Sequence, residues 1–71
     1  MSSAQITEQI SKLLKEFREK ADLTQTEVAK KAGLHPNAYA KIERGERLPN
    51  LDTLQKICKA LGVKSSDVLP F

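Results

Sequence analysis

The sequence predicts an all-α fold of five short helices around one core, and three observations carry that prediction. Apolar residues recur at three-and-four spacing over Ile6, Ile10, Leu13, Leu14 and Phe17, and again over Leu51, Leu54, Ile57, Cys58 and Leu61, the period of one helical face. No stretch alternates apolar and polar residues as a half-buried strand would. Phe17, Tyr39 and Phe71 are the only aromatics, so the core must come from Leu, Ile, Val and Ala, which suits a small helical domain better than a sandwich. At 71 residues the chain is expected to form a single domain over residues 1–71, burying only about 60% of its unfolded surface.

The first helix runs roughly from residue 5 to 21, with Lys12, Lys15, Glu16 and Glu19 on its other sides. Thr24 followed three residues later by Glu27 is a capping box, so the second helix starts at about Gln25. It turns Val28, Ala29 and Ala32 inward and stops at Gly33, a residue suited to the left-handed conformation. Pro36 has no amide hydrogen, which is harmless only in a first turn, so it opens the third helix just after His35. Tyr39 and Ile42 share the inner face of that helix, and Gly45 ends it. The link between the second and third helices, about three residues, favours a steep crossing over antiparallel packing. Residues 46–49 form a loop, Asn50 caps the fourth helix, and Leu51, Leu54, Ile57, Cys58 and Leu61 line its inner side until Gly62. Ser65 or Ser66 starts a last short turn that holds Val68 and Leu69.

Composition excludes several classes of function. A lone Cys58 forms no internal disulfide, which fits a reducing, cytoplasmic setting and a small buried apolar role. No apolar run approaches the roughly 18 residues of a membrane span, and the first 15 residues lack the apolar segment of a signal peptide. One cysteine and one histidine cannot build a four-coordinate zinc site, so no metal or cofactor is expected. No glycine-rich phosphate loop follows a strand, and no Ser, His and Asp set has a scaffold large enough to exclude water, so no catalytic residue is assigned. The net charge of +3 is concentrated in residues 24–50, which carry five positive and three negative side chains, a balance compatible with a polyanionic partner.

A helix as short and narrow as Pro36–Glu43 can enter the major groove of B-form DNA, about 12 Å wide. With Tyr39 and Ile42 turned inward, Asn37, Ala38, Ala40, Lys41 and Arg44 lie on its flanks and outer side. Asn pairs bidentately with adenine, Lys donates to guanine and Ala touches a thymine methyl. Tyr39 is expected in the core with its hydroxyl at the surface, within reach of a DNA phosphate. Lys30 and Lys31 suit either a solvated helix face or a rim along the DNA backbone.

The segments LTQTEVAKKAGL and YAKIERG, the loop proline before NLDTLQKICKALGV, and the closing short helix together span Leu13 to Leu69. In this combination the chain resembles the helix-turn-helix family of phage repressors, of Cro and C1 type, and their compact bacterial relatives. The resemblance implies a lambda-repressor-like domain with its helix-turn-helix at the second and third helices, about residues 24–44. It further implies that Gln25 contacts the DNA backbone and joins base reading, that Pro36, Asn37 and Lys41 face base edges, and that His35 lies near phosphates. Arg44 and Arg47 match the region that follows the phosphates in relatives, and Arg18 with Glu43 match a partly buried salt bridge. Pro36 departs from the family's pattern, because proline offers only an apolar contact where a polar reader often stands. Readout then leans on Asn37, Lys41 and DNA shape.

A single recognition module buries roughly 600 to 1,000 Å², so tight specific binding usually takes two. A symmetric homodimer with its recognition helices about 34 Å apart would read a near-palindromic operator in double-stranded DNA. The apolar residues Leu48, Val63, Leu69 and Phe71 are the predicted dimer surface, in keeping with compact relatives that dimerise through their last helices. The expected function is a small transcriptional regulator that represses by occupying promoter DNA, or activates by touching RNA polymerase from an adjacent site. A restriction-modification controller, an antitoxin that binds both a toxin and its operator, and a prophage regulator all fit. A protein-interaction module without a DNA role is the reading from a different class, and Lys41, Arg44 and Arg47 argue against it.

Overall fold

The computed structural model describes residues 2–69 and consists of α1 (Ser3–Lys20), α2 (Gln25–Ala32), α3 (Pro36–Glu43), α4 (Leu51–Leu61) and α5 (Ser65–Val68). The all-α class and the five-helix order are as predicted. Phe71, part of the expected dimer surface, lies outside the described residues.

Each boundary has a local cause. α1 starts two residues before the predicted position because Ser2 and Gln5 form a capping box: the Ser2 hydroxyl accepts the Gln5 amide at 3.2 Å and the Gln5 side chain accepts the Ser2 amide at 2.8 Å. At α2 the Thr24 hydroxyl accepts the Glu27 amide at 3.1 Å and the Glu27 carboxylate accepts the Thr24 amide at 2.9 Å. Gly33 closes α2 at φ +71°, and the Leu34 amide then reaches back to the Ala29 carbonyl at 2.8 Å. That turn is what lets the chain leave α2 and re-enter a helix three residues later. Asn50 caps α4 by accepting the Thr53 amide at 2.8 Å.

The core gathers Ile10 and Leu14 from α1, Val28, Ala29 and Ala32 from α2, Tyr39 and Ile42 from α3, Leu54, Ile57, Cys58 and Leu61 from α4, and Val68 from α5. α2 is the hub: it packs on both α3 and α4, while α1 closes against α3 and α5. The α2–α3 pair is therefore backed by the rest of the molecule, and the outer side of α3 is left uncovered. Burial pushes the Cys58 thiol up, which keeps it in the unreactive protonated form.

Leu51 corrects the sequence reading. It keeps 78% of its surface exposed, although it falls on the same stripe as Leu54, Ile57 and Leu61. It is the first residue of α4, and side chains tilt toward a helix's N-terminus, so Leu51 overhangs the edge of the core. No helix among the described residues is long and apolar enough to cross a membrane, and no cluster of three metal-ligating side chains occurs among them.

Candidate nucleic-acid interface

α3 exposes Pro36, Asn37 and Lys41, keeps Ala38 and Ala40 half-buried, and buries Tyr39, Ile42 and Glu43. Asn37 and Lys41 are four residues apart and so share one outward face. The small side chains at 38 and 40 leave the backbone of that face open to close approach.

Behind this face one carboxylate joins three helices. The Arg18 Nε of α1 donates to Glu43 Oε1 at 3.1 Å and to Oε2 at 2.9 Å, and its Nη2 donates to Oε1 at 2.8 Å. Arg18 Nη1 also donates to the Leu23 carbonyl at 2.8 Å, just before α2. Gln25, the first residue of α2, donates from Nε2 to Glu43 Oε1 at 3.2 Å. The Glu43 side chain is only 2% exposed and that of Arg18 14%. Burial alone would push the Glu43 carboxyl up, but the hydrogen bonds from Arg18 and Gln25, aided by the adjacent Tyr39 hydroxyl, outweigh it and hold the group below the usual carboxylate range. The same bonds raise Arg18 above its ordinary value. Both partners are thus charged across the physiological range, and α3 is fastened to α1 and α2 by a charge-assisted network.

Tyr39 requires a second correction. Its side chain is wholly buried, and the hydroxyl lies beside Glu43 without meeting hydrogen-bond geometry to any partner. Burial pushes the phenol well above its ordinary range. An enclosed hydroxyl cannot reach a DNA phosphate, because the α1 and α2 packing that buries the ring also covers its tip.

Gln25 is half-buried and commits one amide hydrogen to Glu43, leaving its carbonyl oxygen and second hydrogen for other partners. Lys30 is exposed in the last turn of α2. Arg44 is exposed but ion-paired to Glu46, whose carboxyl is held down by Arg44 first and Lys41 further off. Arg47 is exposed and makes no ion pair among the described residues; it lines a shallow cavity with Leu34, Ala38, Leu48 and Asn50. His35 is exposed at the tip of α3, where its Nδ1 accepts the Asn37 amide at 3.1 Å.

The apolar residues expected at a dimer surface are scattered. Val63 and Leu69 pack partly against the core, and Leu48, 46% exposed, lies beside α3 and the N-terminal turns of α1. Leu69 instead shares an open depression with Leu51, Leu54 and Gln55 between α4 and α5. Sequence periodicity missed Leu51 as a surface residue; its place in the first turn, directly after the Asn50 cap, was the available signal.

Comparison with known proteins agrees with this geometry. A helix-turn-helix family model matches residues 14–68. Control protein C.BamHI of Bacillus amyloliquefaciens is 42% identical over 52 residues, covering 73% of this chain and 64% of that protein. The cryptic phage CTXphi transcriptional repressor RstR of Vibrio cholerae is 34% identical over 59 residues, covering 83% of this chain and 53% of the repressor. The chain thus spans less than two thirds of the length of these two relatives. The crystal structure of the restriction-modification controller protein C.AhdI from Aeromonas hydrophila superposes with a TM-score of 0.86 at 25% identity, covering 89% of this chain and 96% of that one.

Proposed function

This chain belongs to the helix-turn-helix family of DNA-binding regulators, and from that premise we propose that it is a small homodimeric transcriptional regulator that lays α3 in the major groove of a near-palindromic operator. The observation that carries the proposal is the uncovered face of α3. Asn37 and Lys41 stand out from a helix whose inner side is clamped through Glu43 to α1 and α2. A reader of base edges must present its side chains in a fixed geometry, and a helix tied at its far end by a buried charge pair meets that need.

Asn37 and Lys41 supply the direct contacts, and Pro36 supplies an apolar one. Gln25, Lys30 and Arg47 hold the backbone around them, and Arg44 joins once Glu46 gives way to a phosphate. The relatives named as a control protein and a repressor support a role in transcription. For the dimer, the depression between α4 and α5 favours Leu51 and Leu69 as its apolar centre, with Leu51 added to the residues expected from sequence.

Selection of bound duplexes from a randomised pool, followed by affinity measurement at two salt concentrations and sedimentation of the complex, tests the proposal. An inverted repeat with half-sites about one helical turn apart, bound by two copies, is the expected outcome. Recovery of no sequence, with weak binding that vanishes as salt rises, would refute it.

A further inference from the structure

The outward stripe of α3 does not end with the helix. Arg44 keeps right-handed helical backbone angles, φ −80° and ψ −3°, so Asn37, Lys41 and Arg44 follow one another at four- and three-residue steps along one face. Gly45 then turns left-handed at φ +76°, and the Glu46 amide reaches back to the Lys41 carbonyl at 2.9 Å. That turn folds the chain against the end of α3 and brings the Glu46 carboxylate onto the Arg44 guanidinium, whose Nε donates to Glu46 Oε2.

The fold gains little from this pair. Both side chains are more than half exposed, and exposed ion pairs add little to stability. α3 is already fastened from behind through Glu43. The consequence falls on binding instead. A carboxylate offers Arg44 the same negative charge and the same oxygen acceptors as a phosphate, and this one is tethered two residues away, so an incoming phosphate meets an intramolecular rival. Arg47, which makes no ion pair among the described residues, meets none.

We propose that Glu46 is an internal phosphate surrogate: it occupies Arg44 in the free protein, is displaced when Arg44 takes a DNA phosphate, and so holds DNA affinity below what the cations of this face would otherwise give. This role rests on the DNA-binding reading above and adds to that interface a residue that opposes binding. A phosphate carries no sequence information, so Glu46 tunes the strength of binding and does not choose the operator. Salt screens the exposed pair as well as the contacts to DNA, so the restraint is strongest at low ionic strength.

Affinity is measured for the wild type, Glu46→Gln, Arg44→Gln and the double variant, on the duplex that the wild type binds most tightly and at a low and a high salt concentration. Both positions are exposed, so matched urea midpoints should show that the fold is retained. Glu46→Gln should bind about two- to fivefold more tightly at the lower salt, the scale of one released surface pair, and the gain should fade as salt rises. In the Arg44→Gln background the same substitution should change nothing. Unaltered affinity overturns the proposal, and so does a gain that persists in full without Arg44, because Glu46 would then only repel DNA from a distance. A second measurement needs no DNA. Arg44 holds the Glu46 carboxyl below its ordinary range, so in a carbon-13 NMR titration that carboxyl should titrate at higher pH in Arg44→Gln than in the wild type. An unmoved titration would show that the pair does not form and overturn the surrogate by itself. If the wild type binds no DNA, the DNA-binding reading fails and the surrogate with it; if the wild type binds DNA and Glu46→Gln binds no better, the surrogate alone fails.

Discussion

Arg18→Met keeps most of the side-chain length that covers Glu43 and removes its charge. The Glu43 side chain is 2% exposed and has Gln25 as its one other hydrogen-bond donor, so the variant leaves a nearly unpaired carboxylate in the interior. Breaking a buried pair from one side costs about 3 to 5 kcal/mol. The lower figure applies here, about 3 kcal/mol, because Arg18 retains 14% exposure and water can partly replace it. A chain of 71 residues is stable by roughly 4 to 10 kcal/mol, so the loss is a large share of the total. It corresponds to about 12 to 24 °C in Tm. The loss should also depend on pH with a definite sign. In the wild type the Glu43 carboxyl is depressed, so its contribution is fully present above the unfolded value near pH 4 to 5 and fades as pH falls through the folded value. Without Arg18, burial is opposed only by Gln25 and the Tyr39 hydroxyl and the carboxyl rises, so the variant's deficit is greatest at neutral pH and shrinks on acidification. Urea unfolding followed by far-ultraviolet circular dichroism at about pH 7 and pH 4 measures both effects. Arg18→Met combined with Glu43→Leu should regain most of the stability, since a matched apolar pair replaces an ion pair at little cost. A loss under about 1 kcal/mol at pH 7, or one that does not change with pH, would refute the reasoning.

Other outcomes follow from the same geometry. Tyr39→Phe removes a buried hydroxyl that meets hydrogen-bond geometry with no partner yet lies beside Glu43 and helps hold its carboxyl down, so it should change stability by no more than about 1 kcal/mol in urea unfolding. A clear loss would show that the hydroxyl bonds to Glu43. Asn37→Ala should cost about 1 to 3 kcal/mol of discrimination between the selected operator and single-base variants, read by competition binding. Arg47→Ala should instead weaken all sequences alike and flatten the salt slope by about 0.9. Leu51→Glu should leave unfolding at low protein concentration unaltered, because the side chain is 78% exposed, yet weaken self-association at least tenfold by sedimentation.

How much of this was legible beforehand depended on the range of the interaction. The capping box of Thr24 and Glu27, the stop at Gly33, the opening of α3 at Pro36 and the Asn50 cap are contacts between residues at most a few positions apart. Their residue types specify them directly, and all were read from sequence. α1 began earlier than predicted because its own box, Ser2 with Gln5, was not read. The apolar stripe likewise named most of the core, and the combined motifs identified the family.

Three matters turned on the tertiary structure. Leu51 lies on the apolar stripe of α4, but whether a stripe residue is covered depends on what packs over it, and in the first turn Leu51 keeps 78% of its surface exposed. Tyr39 was legible as a core residue, yet the depth of its hydroxyl depended on how closely α1 and α2 pack over α3. Resemblance suggested the pair of Arg18 and Glu43, whereas the recruitment of Gln25 to the same oxygen, 18 residues away in the chain, required the folded coordinates. Sequence alone determined the helices, their ends and the side chains offered to a groove, because those follow from local hydrogen bonding and period. Only the packing of one helix on another decided which polar groups were enclosed and which remained free to bind, because burial is a property of neighbours distant along the chain.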